Sequence, residues 1–478
     1  MGKDVTLRQV NNETNMKRLI VLLSLIHYSM FSEAQTAWTV QQCMRYALEH
    51  NHEVKQAELE LDSYEAGHTS AIGRFLPEVG VGIGAQYNFG RAIDPETNGY
   101  TNVSTFYNGY SLQASLPVFD GFSRLHALRA AKASVMMGRA RQRQQQDQTA
   151  LNVLQAFMNV AYYEGLVKMA EEKVAEASLL LRQTRLLVEV GRKGAADVAQ
   201  VESQQAEADY ELTRQQNLLS SALLELKKEM GFPISDSLRL SPCLSPNPAD
   251  LYTPLPTPGG IGGESVCGNG VESVSGEALI LYHQMQVSRH EWHQARAAFY
   301  PSLSLSAGLN TTYYHTLHAN GGDPFHSQFK NNMGEYVSAT LRIPLFNRLQ
   351  AIANVRKARN NYRIARENYE QKRQDLEKLS LEAWQDWQGY LKQADQMAHK
   401  VEADSIAYQL TRRQYEEGLS TAIDLHTTSS QLLKSKATLL QCRLMAVVKK
   451  QLVRYYQGET IWSSERRAEF TPAIPSRE

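Results

Sequence analysis

Residues Ser115–Gly121 read Ser-Leu-Pro-Val-Phe-Asp-Gly, and residues Arg342–Arg348 repeat the pattern as Arg-Ile-Pro-Leu-Phe-Asn-Arg. Each copy closes a run of alternating residues typical of a β-strand and opens a polar, Ala- and Gln-rich stretch typical of a long helix. Proline suits the end of a strand, and Asp120 and Asn347 are residue types that cap helix N-termini. The sequence therefore predicts a strand-to-helix hinge that occurs twice.

The two hinges belong to an internal duplication with an offset of 227 positions. The pairs that share this offset include Pro117/Pro344, Arg129/Arg356, Gly191/Gly418 and Asp197/Asp424. A period this long excludes a solenoid and indicates two halves, 35–230 and 276–462, with the same elements in the same order. Between them we predict a Pro- and Gly-rich linker at 231–275, and after them a disordered tail at 463–478.

The N-terminus carries the features of an export signal. Met16-Lys17-Arg18 is basic, Leu19–Phe31 is apolar, and Ser32-Glu33-Ala34 fits a small-x-small cleavage site. We therefore predict a signal peptide over residues 1–34, with a mis-called start before Met16. A buried N-terminal helix is the alternative.

Composition excludes some functions and leaves the cysteine chemistry open. The 478 residues have a formal net charge of zero, so nothing draws the chain toward nucleic acid.

An exported compartment permits disulfides, and Cys243 and Cys267 lie in one Pro/Gly-rich stretch. Together with Cys43 and Cys442 they allow three full pairings, and free buried thiols are an equal alternative.

Four segments alternate apolar residues with small or polar ones, as β-strands do. They are Val79–Phe89, Tyr110–Val118, Leu303–Leu309 and Val337–Ile343. Each strand is predicted to span about 9–11 residues, the length of a tilted transmembrane strand. A half-buried soluble sheet shows the same alternation. The export signal and the long helices between the two hairpins favour a membrane.

The segments inside the two hairpins are predicted to be loops. Residues 90–104 contain the turn signals Asp94-Pro95 and Asn98-Gly99, and Gly321-Gly322-Asp323-Pro324 does the same in the second half.

Four strands are too few to close a barrel in lipid, where unpaired backbone groups are costly. Several chains must therefore share one barrel, and cyclic symmetry is the expected arrangement. Two copies would give eight strands around a plugged interior. Three copies would give twelve strands and room for a channel.

Long helices are predicted on both sides of the hairpins. The expected ranges are Thr39–Arg74, Asp120–Val190, Asn347–Glu417, and two return helices, Asp197–Met230 and Asp424–Tyr456. A continuous helix of about 70 residues would reach about 105 Å. Seven-residue spacing of leucines in the last helix predicts coiled-coil-like contacts.

Tight turns are predicted between each long helix and its return helix. Gly191 and Gly418 have the position of helix C-caps, and Asp197 and Asp424 that of N-caps.

In this order of elements the chain resembles the TolC family of outer-membrane efflux proteins, over about residues 37–460. The resemblance rests on Phe75-Leu-Pro77 and Tyr300-Pro301-Ser-Leu303 before the strands, on Leu116–Gly121 and Ile343–Asn347 after them, and on the two glycine turns. The loop Asn88-Phe-Gly-Arg-Ala-Ile-Asp-Pro95 resembles Bacteroidetes-type members.

The resemblance implies an α+β membrane protein: a homotrimer with a twelve-stranded barrel in the outer membrane and a helical tunnel in the periplasm. Such a protein is the exit duct of a tripartite efflux or type I secretion system. Its implied partners are a periplasmic adaptor and an inner-membrane transporter of the RND or ABC class.

The resemblance also implies roles for the turns. The expected adaptor contacts are Gly191, Gly194, Gly418, Leu419 and Ser420, and the expected gate residues are Asp197, Tyr415 and Asp424. The family's best-studied gate has an arginine where Ser420 stands and an acidic residue where Thr427 stands. We therefore hypothesise that Arg192 or Lys193 acts near Asp424, in which case alanine at both positions changes the resting conductance.

No enzyme or cofactor is predicted. His290-Glu-Trp-His293 lacks the spacing of a zinc site, and Gly259–Gly263 lacks the Lys-Ser/Thr of a phosphate loop. The remaining alternative is an exported helical scaffold or adhesin with a soluble sheet. Detergent dependence and membrane fractionation separate it from a duct.

Overall fold

The computed structural model describes residues 37–93, 99–102, 104–241, 276–317 and 323–456. The predicted signal peptide, the predicted tail, and Cys243 and Cys267 lie outside the described residues.

The region Thr39–Arg74 forms two helices, α1 (Val40–His50) and α2 (His52–Gly73). The prediction of one continuous helix here is wrong, because Asn51 has an extended conformation at φ −64° and ψ 134°. Its side-chain oxygen accepts from the Glu53 backbone N–H at 2.7 Å, and its Nδ2 donates to the Glu229 carbonyl at 2.8 Å. Such side-chain bonds compete with helix hydrogen bonds.

The strands are β1 (Glu78–Asn88), β2 (Arg91–Ile93), β3 (Tyr100–Asn102), β4 (Thr105–Phe119), β5 (Ser302–Thr316) and β6 (Gly334–Arg342). Two expectations are corrected. The segment 90–104 contains the small hairpin β2–β3, and β4 and β5 have 15 residues each. The extra length of β5 is rich in Thr and Tyr, which favour strands.

The four longer strands form one antiparallel sheet in the order β1-β4-β5-β6. Val81 pairs with Leu112, and Leu112 pairs with Leu309, so apolar residues share one face. The sheet ends in two edges, β1 and β6. Side chains on its apolar face are largely exposed in the single chain: Val81 is 73% and Val337 84% exposed.

The second hairpin contains a short helix, α6 (Phe325–Asn331), where a loop was predicted. It packs beside the last residues of β5, which extend past β6. The Gln328 side chain accepts from the Tyr314 N–H and donates to the Tyr314 carbonyl, both at 2.9 Å. This amide thus takes the place of a neighbouring strand.

The remaining helices are α3 (Ser123–Glu189), α4 (Ala195–Met230), α5 (Gly276–Arg296), α7 (Gln350–Glu416) and α8 (Ala422–Tyr456), with a 3-10 turn at Ala297–Phe299. The predicted long helices are confirmed. α3 and α7 have 67 residues each, which corresponds to about 100 Å.

Within the described ranges, no helix is both long and apolar enough to cross a lipid bilayer.

Both hinges have the same backbone geometry. Gly121 and Phe122 have φ of 65° and 68°, and Arg348 and Leu349 have φ of 56° and 65°. The prediction that Asp120 and Asn347 are the N-cap residues is therefore wrong, because two left-handed residues separate each of them from its helix. Asp120 still accepts from the Arg124 N–H at 3.1 Å.

The main apolar cluster joins α1, α3, α4 and α8, with Phe157, Leu226 and Met230 at its centre. Cys43 in this cluster and Cys442 in α8 are free and buried. Every pairing that uses all four cysteines is therefore wrong.

Candidate functional site: the two hairpin tips

Each long helix ends in the same tight turn. Gly191 and Gly418 have φ of 72° and 81°, which glycine adopts without steric cost. The next residue then bonds back into the helix: Arg192 N–H donates to the Leu187 carbonyl at 2.8 Å, and Leu419 N–H to the Gln414 carbonyl at 2.7 Å. This is the Schellman arrangement, so the predicted glycine C-caps are confirmed.

The two aspartates are the third residues of their helices, not the N-caps that were predicted. Asp197 Oδ2 accepts from the Gly194 N–H at 3.0 Å. Asp424 Oδ2 accepts from the Thr421 N–H at 3.1 Å and from the Thr421 hydroxyl at 2.6 Å. These bonds reach back to the start of the helix, as in a capping box. The Thr421 hydroxyl also holds the pKa of Asp424 below its ordinary value.

A buried tyrosine ties the two hairpins together. The Tyr415 side chain is 1% exposed, and its hydroxyl lies 2.8 Å from Thr184 Oγ1. Thr184 donates to the Leu180 carbonyl at 2.8 Å, so the tyrosine hydroxyl is the donor between the two. Lys193 Nζ lies 3.6 Å from the centre of the Tyr415 ring, a cation–π contact.

Apolar residues surround this contact on all four helices. The cluster consists of Leu181, Val201, Tyr415, Ala422 and Leu425. The Gln204 side chain donates to the Ala422 carbonyl at 3.1 Å. Sequence reasoning missed Thr184, Val201 and Gln204 as contact residues. The available signal was the recurrence of Gln204 as Gln431 at the repeat offset.

The structure brings together only some of the expected gate residues. Lys193 contacts Tyr415, whereas the carboxylate of Asp424 bonds to its own turn. In the described part of a single chain, neither Arg192 nor Lys193 forms an ion pair with Asp424. How these groups meet across copies of the chain stays a prediction.

The outer surface of the tips is partly apolar. Val190, Leu419 and Ile423 are 68%, 76% and 61% exposed. The expected contact glycines 191, 194 and 418 are exposed as well, and Ser420 is half-buried and donates to Asp424 at 3.3 Å.

Several turns further along the helices, ionisable groups lie between α3, α4 and α8. Lys173 Nζ donates to the Ser430 hydroxyl at 3.2 Å, and His426 Nε2 lies 3.7 Å from Glu207 Oε2. Burial lowers the pKa of Lys173 and raises the pKa of Glu176. No sequence pattern predicts this cluster, because its members are far apart along the chain.

Three histidines pack together at the other end of the helices. The His126 ring lies 5.9 Å from that of His290 and 5.1 Å from that of His293, between centroids. Burial, followed by nearby arginines, lowers the pKa of His126. Burial, followed by the charge of His126 and nearby arginines, lowers the pKa of His293. Among the residues the structure describes, no group of three or more His, Cys, Asp or Glu side chains is placed to hold a metal ion.

Two long helical hairpins joined at one end, with a four-stranded open-edged sheet at the other, define a class of proteins built from a duplicated strand-and-helix unit. Comparison with known sequences agrees. The profile of the outer membrane efflux protein family matches residues 44–231 and 281–452. The chain belongs to the outer membrane efflux protein family, and the resemblance to TolC-type proteins is confirmed. Its location is the outer membrane.

Two individual relatives are outer membrane proteins of efflux pumps. The toluene efflux pump outer membrane protein TtgF of Pseudomonas putida is 25% identical over 301 residues, which cover 59% of this chain and 58% of TtgF. The chain thus matches less than two thirds of that relative. TtgC of the same organism is 23% identical over 420 residues, covering 85% of this chain and 80% of TtgC.

The fold is similar to that in crystal structures of CusC, with a TM-score of 0.75 and 19% identity over 88% of this chain and 92% of CusC.

Proposed function

We propose that this protein is a passive exit duct through the outer membrane. The observation that carries the proposal is the sheet β1-β4-β5-β6, which has two free edges and an exposed apolar face, and which continues directly into helices of 67 residues. A sheet in lipid has to close on itself. Neighbouring copies supply the missing strands when β6 of one chain pairs with β1 of the next.

The assembly we propose is a homotrimer with a twelve-stranded barrel. Two copies would leave an interior filled by side chains, whereas twelve strands leave room for a passage. In three copies the long helices form a tunnel of about 100 Å on the periplasmic side.

The tips are proposed to be the gate and the docking site. The gate is assigned to Asp197, Tyr415, Asp424, Arg192 and Lys193. Contact with a periplasmic adaptor is assigned to the exposed residues Gly191, Gly194, Gly418 and Leu419 and to the half-buried Ser420. The partner in the inner membrane would be an RND or ABC transporter, in a tripartite efflux or type I secretion system.

The alternative is an exported helical scaffold or adhesin. The exposure of Val81, Ile83 and Val337 argues against it, because a soluble sheet would bury such residues. We also propose that the protein is not an enzyme. Its relatives are named as efflux proteins.

The test is single-channel conductance of the purified full-length protein in planar bilayers, with the oligomer mass measured in parallel. A trimer that inserts and conducts supports the duct. A monomer that stays soluble without detergent and leaves the bilayer silent would refute it in favour of the scaffold.

A further inference from the structure

The starts of the two long helices carry the same pattern, directly after the strands end. On α3 it is Phe122, Leu125, Arg129 and Lys132, and on α7 it is Leu349, Ile352, Arg356 and Arg359. Every member of the first set lies 227 positions before its counterpart in the second. Both halves of the duplication therefore place two apolar residues nearest the sheet and two basic residues beyond them.

The spacing of three, four and three residues puts each set on one face of its helix. In the single chain this face is exposed: Phe122, Leu349 and Ile352 are 55%, 60% and 55% exposed. The four basic residues are all exposed too. The two stripes are therefore surfaces on which a partner can bind.

The first several turns of both long helices carry basic residues and no acidic ones. α3 has no acidic residue before Asp147, and α7 has none before Glu367. At the start of α3 the Asp120 carboxylate bonds to Arg124. The basic residues further along both helices therefore leave an excess of positive charge at two equivalent places, which points to an external negative charge.

No carboxylate of the described residues neutralises the four basic groups. The ion pairs at these helix ends involve other side chains, such as Arg124 with Asp120 and Arg139 with Glu65. The excess positive charge extends to neighbouring groups, since Arg129 contributes to the lowered pKa of His126.

We propose that Arg129, Lys132, Arg356 and Arg359, here named the basic collar, bind anionic phospholipid headgroups of the membrane leaflet facing the periplasm. Arg129 and Arg356 are six residues into their helices, about 9 Å beyond the hinge. The headgroup layer is on the order of 5–7 Å thick, so these long side chains reach it. The proposal rests on the membrane insertion of the strands proposed above.

The apolar members of the stripes favour lipid over the interior of the tunnel. Exposed apolar side chains such as Phe122, Leu349 and Ile352 are unfavourable in a water-filled passage. Apolar residues followed by basic ones are instead typical of a membrane interface. Each basic group near an anionic surface gains ~1 kcal/mol, which corresponds to about a fivefold preference. This gain falls off over a distance of about one Debye length from the surface.

The test compares spin-labelled phosphatidylglycerol with spin-labelled phosphatidylcholine around the reconstituted full-length protein. We expect the wild type to prefer the anionic lipid several-fold, and the variant R129Q/K132Q/R356Q/R359Q to lose most of this preference. The matched control K168Q/R182Q/K392Q/K434Q removes four exposed basic residues that lie many helical turns from the hinges and should keep it. High salt should weaken the preference of the wild type.

Conductance recorded on the same samples separates the two proposals. A wild type that conducts but shows no lipid preference overturns the basic collar and leaves the duct intact. A quadruple variant that keeps the preference, or that changes only the anion–cation selectivity of the channel, also overturns it, because the charges would then face the tunnel. A wild type that does not insert overturns both proposals.

Discussion

At the residue scale, the Tyr415 hydroxyl joins the two hairpins at their tips. In Tyr415→Phe the ring remains but the bond to Thr184 is lost, while Thr184 still donates to the Leu180 carbonyl. Separating the hairpins should therefore cost about 1 kcal/mol less. We expect resting open events in planar bilayers to rise about fivefold. The control is Tyr210→Phe, which changes a side chain that is 67% exposed. Equal conductance of both variants would contradict the view that the Tyr415 hydroxyl holds the hairpins together.

A substitution at Gly121 tests the backbone geometry of the first hinge. A Cβ at this position would lie 2.7 Å from Tyr300 Cβ and 2.9 Å from the Ala297 carbonyl oxygen, in a residue with φ of 65°. We expect Gly121→Ala to destabilise the protein by about 1–3 kcal/mol, seen as a lower thermal midpoint in detergent. Gly73→Ala, where nothing lies within 4 Å of the added atom, should be neutral. Equal midpoints would count against this view of the hinge.

Residue roles at the turns were only partly predictable. The glycine C-caps follow from sequence because only glycine adopts their conformation cheaply. Asp120, Asp197 and Asp424 were assigned as N-caps, yet all three act from neighbouring positions. The N-cap position depends on the residue at which the helix begins. Phe122 has a left-handed conformation that is not expected for a phenylalanine, so the start of α3 could not be placed from the sequence.

At the scale of elements, α6 protects the open edge of β5. Gln328→Ala would leave the Tyr314 N–H and carbonyl without their partner. We expect a loss of about 1–3 kcal/mol in the free energy of unfolding, measured by thermal unfolding in detergent. Asn331→Ala removes an exposed amide that bonds only across one helical turn, to Ser327. The explanation fails if both variants unfold at the same temperature.

The histidines between α3 and α5 predict a pH dependence. Burial, followed by the positive charges of neighbouring histidines and arginines, places the pKa of His126, His290 and His293 below the ordinary 6.5. The folded state therefore favours neutral rings, so their contribution to stability is present above about pH 6.5 and is lost as the pH falls toward the folded pKa values.

We expect the thermal midpoint in uncharged detergent to fall between pH 7.5 and 5.5. The fall should be smaller in the variant His126→Gln. His399→Gln, on the distant half of α7, is the control. An unchanged slope in His126→Gln would place the titrating groups elsewhere.

Helices and strands were predictable to different degrees. The long helices were placed within three residues, because their periodicity runs over many turns. The break at Asn51 was not predicted, because it depends on a bond to Glu229, which is 178 positions away. The helix α6 was also missed, since it is short and stabilised mainly by its contacts with β5.

At the scale of the whole molecule, the two faces of the sheet should meet different surroundings. Val337 is 84% exposed in β6, and its neighbour Ser338 points to the opposite face. A lysine facing lipid near mid-membrane costs about 2–4 kcal/mol. We expect Val337→Lys to lower the amount of trimer in the membrane fraction, and Ser338→Lys to leave it near the wild-type level. The reverse order would invert the assignment of the faces.

The duplication made the architecture predictable, because one repeat explains the order of elements in the other. The contacts of the candidate site were not predictable, because Thr184 and Tyr415 are 231 positions apart and meet only when the two hairpins pack together. Family resemblance supplied the residue numbers of the proposed gate, but not the hydrogen bonds that these residues form.

The equal length of α3 and α7 has a consequence for symmetry. Because both helices have 67 residues and begin at matching hinges, we expect the two turns of one chain to end at about the same level. The proposed trimer would then present a rim of six turns with pseudo-sixfold order. The turns would alternate between one type with Arg192 and Lys193 and another with Leu419 and Ser420. A ligand that repeats six times around this rim would meet two non-identical sites in strict alternation.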